Sequence, residues 1–193
     1  MDFDILTERE AFGMKIEYGI LQGSKNIVFV KSGRGGTHHG EEEKYLRFAA
    51  YLRESFGASV VCASNPDGCK STVEADMSVL NEYMRGFDMP RLWLWGISDG
   101  AFKCIDVAEH MMFEKAVLVN MPLMINFYKN KERLKKLDAA RLAFAYGEFD
   151  PSFKYVPFLR SLESSALLTL EKTGHLMEMN VRECEFFGKI LFS

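Results

Sequence analysis

The stretch LWLWGISDGAF, residues 92–102, sets bulky apolar residues against Gly96, Ile97, Ser98, Asp99 and Gly100. Its first half is apolar and aromatic enough to predict a strand buried on both faces. The helical period of the segment that follows, FKCIDVAEHMMF (residues 102–113), puts Ser98 on a sharp strand-to-helix turn. In such a turn the serine takes a strained backbone conformation and neighbouring backbone passes close by. The positions two before and two after it must therefore lack bulky side chains, a demand met by Gly96 and Gly100. The hydroxyl then stands above the sheet edge, facing the unpaired N–H groups of the next helix's first turn. The same residues also fit a helix-capping serine in an ordinary glycine-rich turn, because short GxSxG matches arise by chance. The surrounding chain has to decide between the two.

Working outward, NIVFVK (26–31), SVVCA (59–63), KAVLV (115–119), RLAFAY (141–146) and ALLTLE (166–171) join RLWLW (91–95) as short, almost wholly apolar segments. They predict six central strands. Between them, Tyr45, Leu46, Phe48, Ala49, Leu52 and Phe56 mark one helical face, and Val73, Met77, Leu80 and Met84 mark another. Alternation of strand and helix predicts an α/β protein with a mostly parallel sheet, right-handed crossovers and helices on both faces. DFDIL (2–6) and MKIEYGIL (14–21) alternate between polar and apolar residues, which predicts an antiparallel edge and brings the total to eight strands. No linker or repeat divides the chain, so residues 1–193 are expected to form a single domain.

Composition narrows the function. The chain has 193 residues, 48% of them hydrophobic, and a formal charge of −3, which suits one well-buried globular core. No basic stripe is present and the longest acidic run is Glu41-Glu42-Glu43, so neither nucleic acid nor an anionic membrane is an expected partner. The acidic start MDFDILTERE has none of the marks of a secretory signal, and no apolar run reaches the ~18 residues of a membrane span. A cytoplasmic location is expected. Cys62, Cys69, Cys104 and Cys184 lack CxxC or zinc-finger spacing and read as free thiols.

With these elements in place the sequence resembles the α/β-hydrolase superfamily over nearly its whole length. GISDG would be the family's nucleophile elbow, after the fifth of eight strands. Members run serine, acid, histidine in chain order; here RLAFAY leads into Gly147-Glu148-Phe149-Asp150, and ALLTLE into Lys172-Thr173-Gly174-His175. KSGRGG, after the first central strand, resembles the family's oxyanion loop, with Ser32 where a histidine is common. The resemblance implies a compact serine hydrolase, esterase-like and without a lid domain.

The residue types suit that chemistry. A serine hydroxyl needs a base poised near neutral pH, and histidine, with an unperturbed pKa of ~6.5, is the suitable side chain. His175 is the expected base and Asp150 the carboxylate that orients it, with Glu148 as the fallback. The backbone N–H groups of Asp99 and Arg34 are the expected oxyanion donors. Each residue also has a plainer reading: Asp150-Pro151 as a turn pair, Gly174-His175 as a strand end, and residues 32–36 as a phosphate-cradling loop. The last lacks the Lys-Ser/Thr pair of a Walker loop and a complete GxGxxG. The Arg34 side chain either faces solvent or attracts a carboxylate or phosphate of the substrate. His38 and His39 read as loop residues with no third ligand nearby, and His110 as a packed or surface residue of its helix, so no metal and no cofactor are expected.

Only about 20 residues, 120–140, occupy the position where the family inserts a lid, enough for one helix. Met121, Met124, Phe127 and Tyr128 are candidate pocket-wall residues there, with core packing as the alternative. A fairly open, partly apolar cleft suits small acyl esters or thioesters. Hydrolysis, acyl transfer by the same residues, and a binding module without turnover all remain compatible with the sequence, which leaves the oligomeric state open.

Overall fold

A computed structural model describes residues 1–160 and 166–193. In chain order the elements are β1 (Ile5–Ala11), β2 (Met14–Leu21), β3 (Ser24–Lys31), α1 (Lys44–Phe56), β4 (Ala58–Ala63), α2 (Val73–Met84) and β5 (Arg91–Ile97). Then come α3 (Asp99–Ala108), β6 (Lys115–Val119), α4 (Phe127–Leu134), β7 (Leu142–Gly147), α5 (Val156–Leu159), β8 (Ala166–Leu170) and α6 (Val181–Leu191). The strands form one sheet in the order β1-β2-β4-β3-β5-β6-β7-β8. β1 and β2 pair antiparallel, β2 joins β4 antiparallel, and every pairing from β4 through β8 is parallel.

The central strands read as unbroken apolar runs because both of their faces are covered. Along β3, Ile27 and Phe29 enter one core with α2 and α3, while Val28 and Val30 enter the other with α1 and α6. β5 divides likewise, Leu92 and Leu94 to one side and Trp93, Trp95 and Ile97 to the other. This is the period-two alternation of a strand applied to a sheet with two apolar sides.

Three expectations need correction. ALLTLE, read as a central strand buried on both faces, forms β8 at the sheet's outer edge with none of its residues buried, because only β7 flanks it. The first strand is not DFDIL but Ile5–Ala11, joined to β2 by a two-residue turn at Phe12 (φ 51°) and Gly13 (φ 72°). Paired positive φ values match the twist of a tight hairpin. As the outermost strand it is half exposed, so its ILTEREA sequence lacks the apolar signal of a buried one. In α2 the buried side is Ala75, Asp76, Val79 and Leu80, a face rotated away from Val73 and Met77. The cause is Lys31 at the end of β3. Both Lys31 and Asp76 are fully buried, with Nζ 2.9 Å from Asp76 Oδ1, and the same carboxylate accepts from Tyr18 (2.9 Å) and Thr72 (2.7 Å).

β3 lies between β4 and β5, so the connections leaving these strands diverge and leave a crevice beyond their C-terminal ends. In open α/β sheets that crevice is where ligands bind. The loop after β3 and the turn after β5 both face it. Residues 120–140 hold one eight-residue helix, α4, and a single 3-10 turn at Ala139–Arg141. Among the described residues no helix is long and apolar enough to cross a membrane.

Candidate active site

Ser98 links β5 to α3 with φ 54° and ψ −125°, a conformation that L-residues avoid at a cost of about 1–3 kcal/mol. Two glycines permit it. A Cβ on Gly96 would lie 2.5 Å from the Gly100 carbonyl oxygen and 2.8 Å from Cys104 Sγ. One on Gly100 would lie 2.3 Å from the Ser32 carbonyl oxygen and 2.4 Å from that of Lys31. The second contact brings the start of α3 directly against the loop that leaves β3.

The structure brings Ser98, His175 and Asp150 together from three separate loops. His175 Nε2 lies 2.9 Å from Ser98 Oγ, and Nδ1 lies 2.5 Å from Asp150 Oδ2. The Asp150 carboxylate is almost fully buried, whereas the imidazole is 39% exposed. Asp150 Oδ1 also accepts from the Ser152 N–H at 2.7 Å, closing the Asx turn that an Asp-Pro pair favours. The turn reading and the triad reading of Asp150 thus describe one carboxylate using its two oxygens. Glu148 is exposed, and its Oε2 accepts from the Lys172 N–H at 3.0 Å, away from the imidazole.

Asn120 escaped the sequence reading. It is fully buried at the end of β6 with φ 46°. Its Nδ2 donates to the carbonyls of Gly174 (3.1 Å) and His175 (2.8 Å), while Oδ1 accepts from the Gly147 N–H (2.8 Å). One amide therefore ties the backbone carrying His175 to the strand end that leads to Asp150. A lone Asn after a strand has no motif around it, so only the three-dimensional structure reveals it.

The glycine loop is held as tightly. Ser32 donates from Oγ to the carbonyls of Gly36 (3.0 Å) and Ala63 (3.1 Å), and the Gly35 N–H donates to the Asn65 carbonyl (2.8 Å). Gly33 packs against Ser98. Among the described residues, the Arg34 and Asp99 N–H groups have no intramolecular acceptor. The Arg34 guanidinium sits 3.8 Å from both Asp67 and Asp99, so its charge is already partnered.

The four candidate pocket residues do not form one wall. Met121 is fully buried in the core beneath α3, and its carbonyl accepts from the Tyr146 hydroxyl at 2.8 Å. Phe127 packs its ring on Tyr155 and Phe158 at centroid distances of 5.4 and 5.1 Å. Met124 and Tyr128 are exposed, and Met124 Sδ lies 3.1 Å from Ser152 Oγ, two residues from the Asp150 carboxylate. Phe149 and Leu176, next to Asp150 and His175 in sequence, are exposed as well. The His38 and His39 rings pack at a tilt against each other and, tilted or edge-on, against Phe3, at centroid distances of 4.1–5.6 Å. Among the described residues no three His, Cys, Asp or Glu side chains converge as metal ligands would.

No family model and no curated protein matches the sequence. Similarity to solved structures is extensive. Est1E from Butyrivibrio proteoclasticus matches with a TM-score of 0.70 at 11% identity, over 96% of this chain and 95% of that one. An α-β serine hydrolase homologue from Coxiella burnetii matches with a TM-score of 0.70 at 14% identity, over 99% and 97%. A serine hydrolase without a lid, from Xanthomonas campestris, matches with a TM-score of 0.65 at 17% identity, over 97% and 91%. An eight-stranded, mostly parallel sheet with helices on both faces, shared with these proteins over almost the full chain, gives this protein the α/β-hydrolase fold.

Proposed function

We propose that the protein is a serine hydrolase that cleaves a carboxylic ester or thioester through an acyl-enzyme, all within one domain. The observation that carries this reading is the continuous chain of contacts from Ser98 Oγ through His175 to the buried Asp150 carboxylate, with the serine at a positive-φ turn. In the first step Ser98 Oγ bonds to the acyl carbon while its proton passes to His175 Nε2. Asp150 stays ionised, keeps the proton-bearing Nδ1 turned toward itself and stabilises the imidazolium. The N–H groups of Asp99 and Arg34 receive the developing oxyanion. The imidazolium then gives its proton to the departing alkoxide or thiolate, and a water activated by the same imidazole releases the acid.

Met124, exposed and with Sδ 3.1 Å from Ser152 Oγ, and the exposed Phe149 and Leu176, adjacent in sequence to Asp150 and His175, suit an acyl chain lying in an open cleft. Short and medium acyl groups are the expected substrates. The test is mixing with p-nitrophenyl esters and acyl thioesters of increasing chain length. A burst of product, a mass gain of one acyl group on Ser98, and rates falling toward long emulsified chains are expected. Turnover that persists in a folded Ser98→Ala variant would rule out the acyl-enzyme, and rates rising steadily with chain length would rule out the open cleft.

A further inference from the structure

The two proposed oxyanion donors belong to different segments, the loop after β3 and the first turn of α3. An oxyanion hole works only when its donors are held within about 0.5 Å of the productive geometry. Gly100 lets the two segments approach but does not fix them against each other. Asn65, in the loop after β4, touches both. It is 1% exposed, and its Nδ2 group donates to the Ser32 carbonyl (3.2 Å) and to Asp99 Oδ2 (3.0 Å). Its backbone grips the same loop through an isolated antiparallel bridge, N–H to the Gly36 carbonyl (2.9 Å) and carbonyl from the Gly35 N–H (2.8 Å). Arg34 lies inside this bracket.

The bonds also answer an electrostatic problem. Asp99 follows the nucleophile directly, so its carboxylate would oppose a negative charge developing at its own N–H. The Asn65 amide takes Oδ2, and the Arg34 guanidinium lies 3.8 Å from Oδ1. Side chains of Arg34 and Asp99 are thus drawn to one another beside the space where their N–H groups are unpaired.

We propose that Asn65 is a positioning residue for the oxyanion hole, its one buried amide fixing the Arg34 loop against the Asp99 turn. This rests on the serine-hydrolase reading. Hydrogen bonding from Nδ2 to both segments separates it from Asn120, which acts on the histidine side.

The test uses the full chain with three variants: Asn65→Ala, Asn65→Asp, and Asn65→Asp combined with Asp99→Asn. Each is assayed on one activated ester, and each is titrated with a trifluoromethyl ketone whose adduct carries the tetrahedral oxyanion. Full loss of one donor costs ~10²- to 10³-fold in kcat. A displaced pair should lose somewhat less, so Asn65→Ala is expected to lower kcat about 10- to 100-fold with KM nearly unchanged. Affinity for the ketone should fall by the same factor. Asn65→Asp should be worse at neutral pH, because two carboxylates then face each other, and its activity relative to wild type should rise in acid as one of them takes a proton. The double variant reverses the donor and acceptor, restores one of the two bonds, and should recover part of the loss. If Asn65→Ala fails to fold, the double variant carries the same comparison. Folded variants with wild-type kcat, or a lowered kcat with unchanged ketone affinity, would overturn the proposal. A wild-type protein that neither turns over esters nor binds the ketone would instead overturn the serine-hydrolase reading beneath it.

Discussion

Replacing Asp76 by alanine should be among the most damaging single changes in this protein, although the residue lies outside the triad. Its carboxylate is fully buried and accepts from the Lys31 ammonium, the Tyr18 hydroxyl and the Thr72 hydroxyl. Removing it leaves a buried ammonium with no counter-ion, and breaking one side of a buried pair costs about 3–5 kcal/mol. The two hydroxyls can rotate toward other acceptors, so their loss does not simply add. For a chain of this size each kcal/mol shifts the melting temperature by about 2–4 °C, giving an expected fall of roughly 6–20 °C. The assay is thermal or urea unfolding of Asp76→Ala, followed by Lys31→Met in the same background. If the orphaned charge causes the damage, the second substitution should recover a large part of it. A loss below about 1 kcal/mol would refute the buried pairing, and a full loss with no recovery would assign the damage to the cavity instead.

Two other outcomes are expected. Asp150→Asn should preserve the fold yet lower kcat by ~10⁴-fold, as in the serine-protease case where the amide favours the wrong tautomer. Glu148→Gln should leave kcat nearly unchanged, because Glu148 contacts the Lys172 backbone and not the imidazole; the two variants assayed side by side, with circular dichroism, check the assignment of the acid. The second outcome concerns acid stability. Burial and the neighbouring His39 lower the His38 pKa, against an opposing pull from Glu17 3.7 Å away, and neither ring nitrogen makes a hydrogen bond. The unfolded chain therefore takes up a proton below about pH 6.5 that the folded state resists, and stability should fall as pH drops from there through the lower folded pKa. Urea unfolding between pH 7.5 and 5 should show this slope, and His38→Phe should flatten it; an unchanged slope would show that other groups set it.

The architecture was legible because its strongest signal is physical. A strand covered on both faces must be apolar throughout, and β3 through β7 announce themselves in that way. Ser98, Asp150 and His175 stood out because each sits in a short polar segment after a strand, Ser98 and Asp150 after strands covered on both faces and His175 after the edge strand β8. What the sequence hid are groups whose environment opposes their type. Asp76 reads as the polar side of α2 until Lys31 is seen to require it, and the half-exposed β1 carries too little apolar signal to mark its bounds. Asn65 and Asn120 act by satisfying backbone groups of loops distant in sequence, which no local pattern encodes. Met121 and Phe127 show the converse: an apolar residue near a site is more often packing than pocket.

The serine-hydrolase account is tested most directly by one measurement, treatment of the folded protein with a fluorophosphonate followed by mass mapping of the modified residue. Attack on phosphorus needs the same activated hydroxyl as attack on an acyl carbon, so the Ser98–His175 contact at 2.9 Å should decide the result. Labelling confined to Ser98, and collapsing in a folded His175→Ala variant, is the result expected. A folded wild-type protein left unlabelled at Ser98, or one whose labelling survives loss of the imidazole, would contradict it.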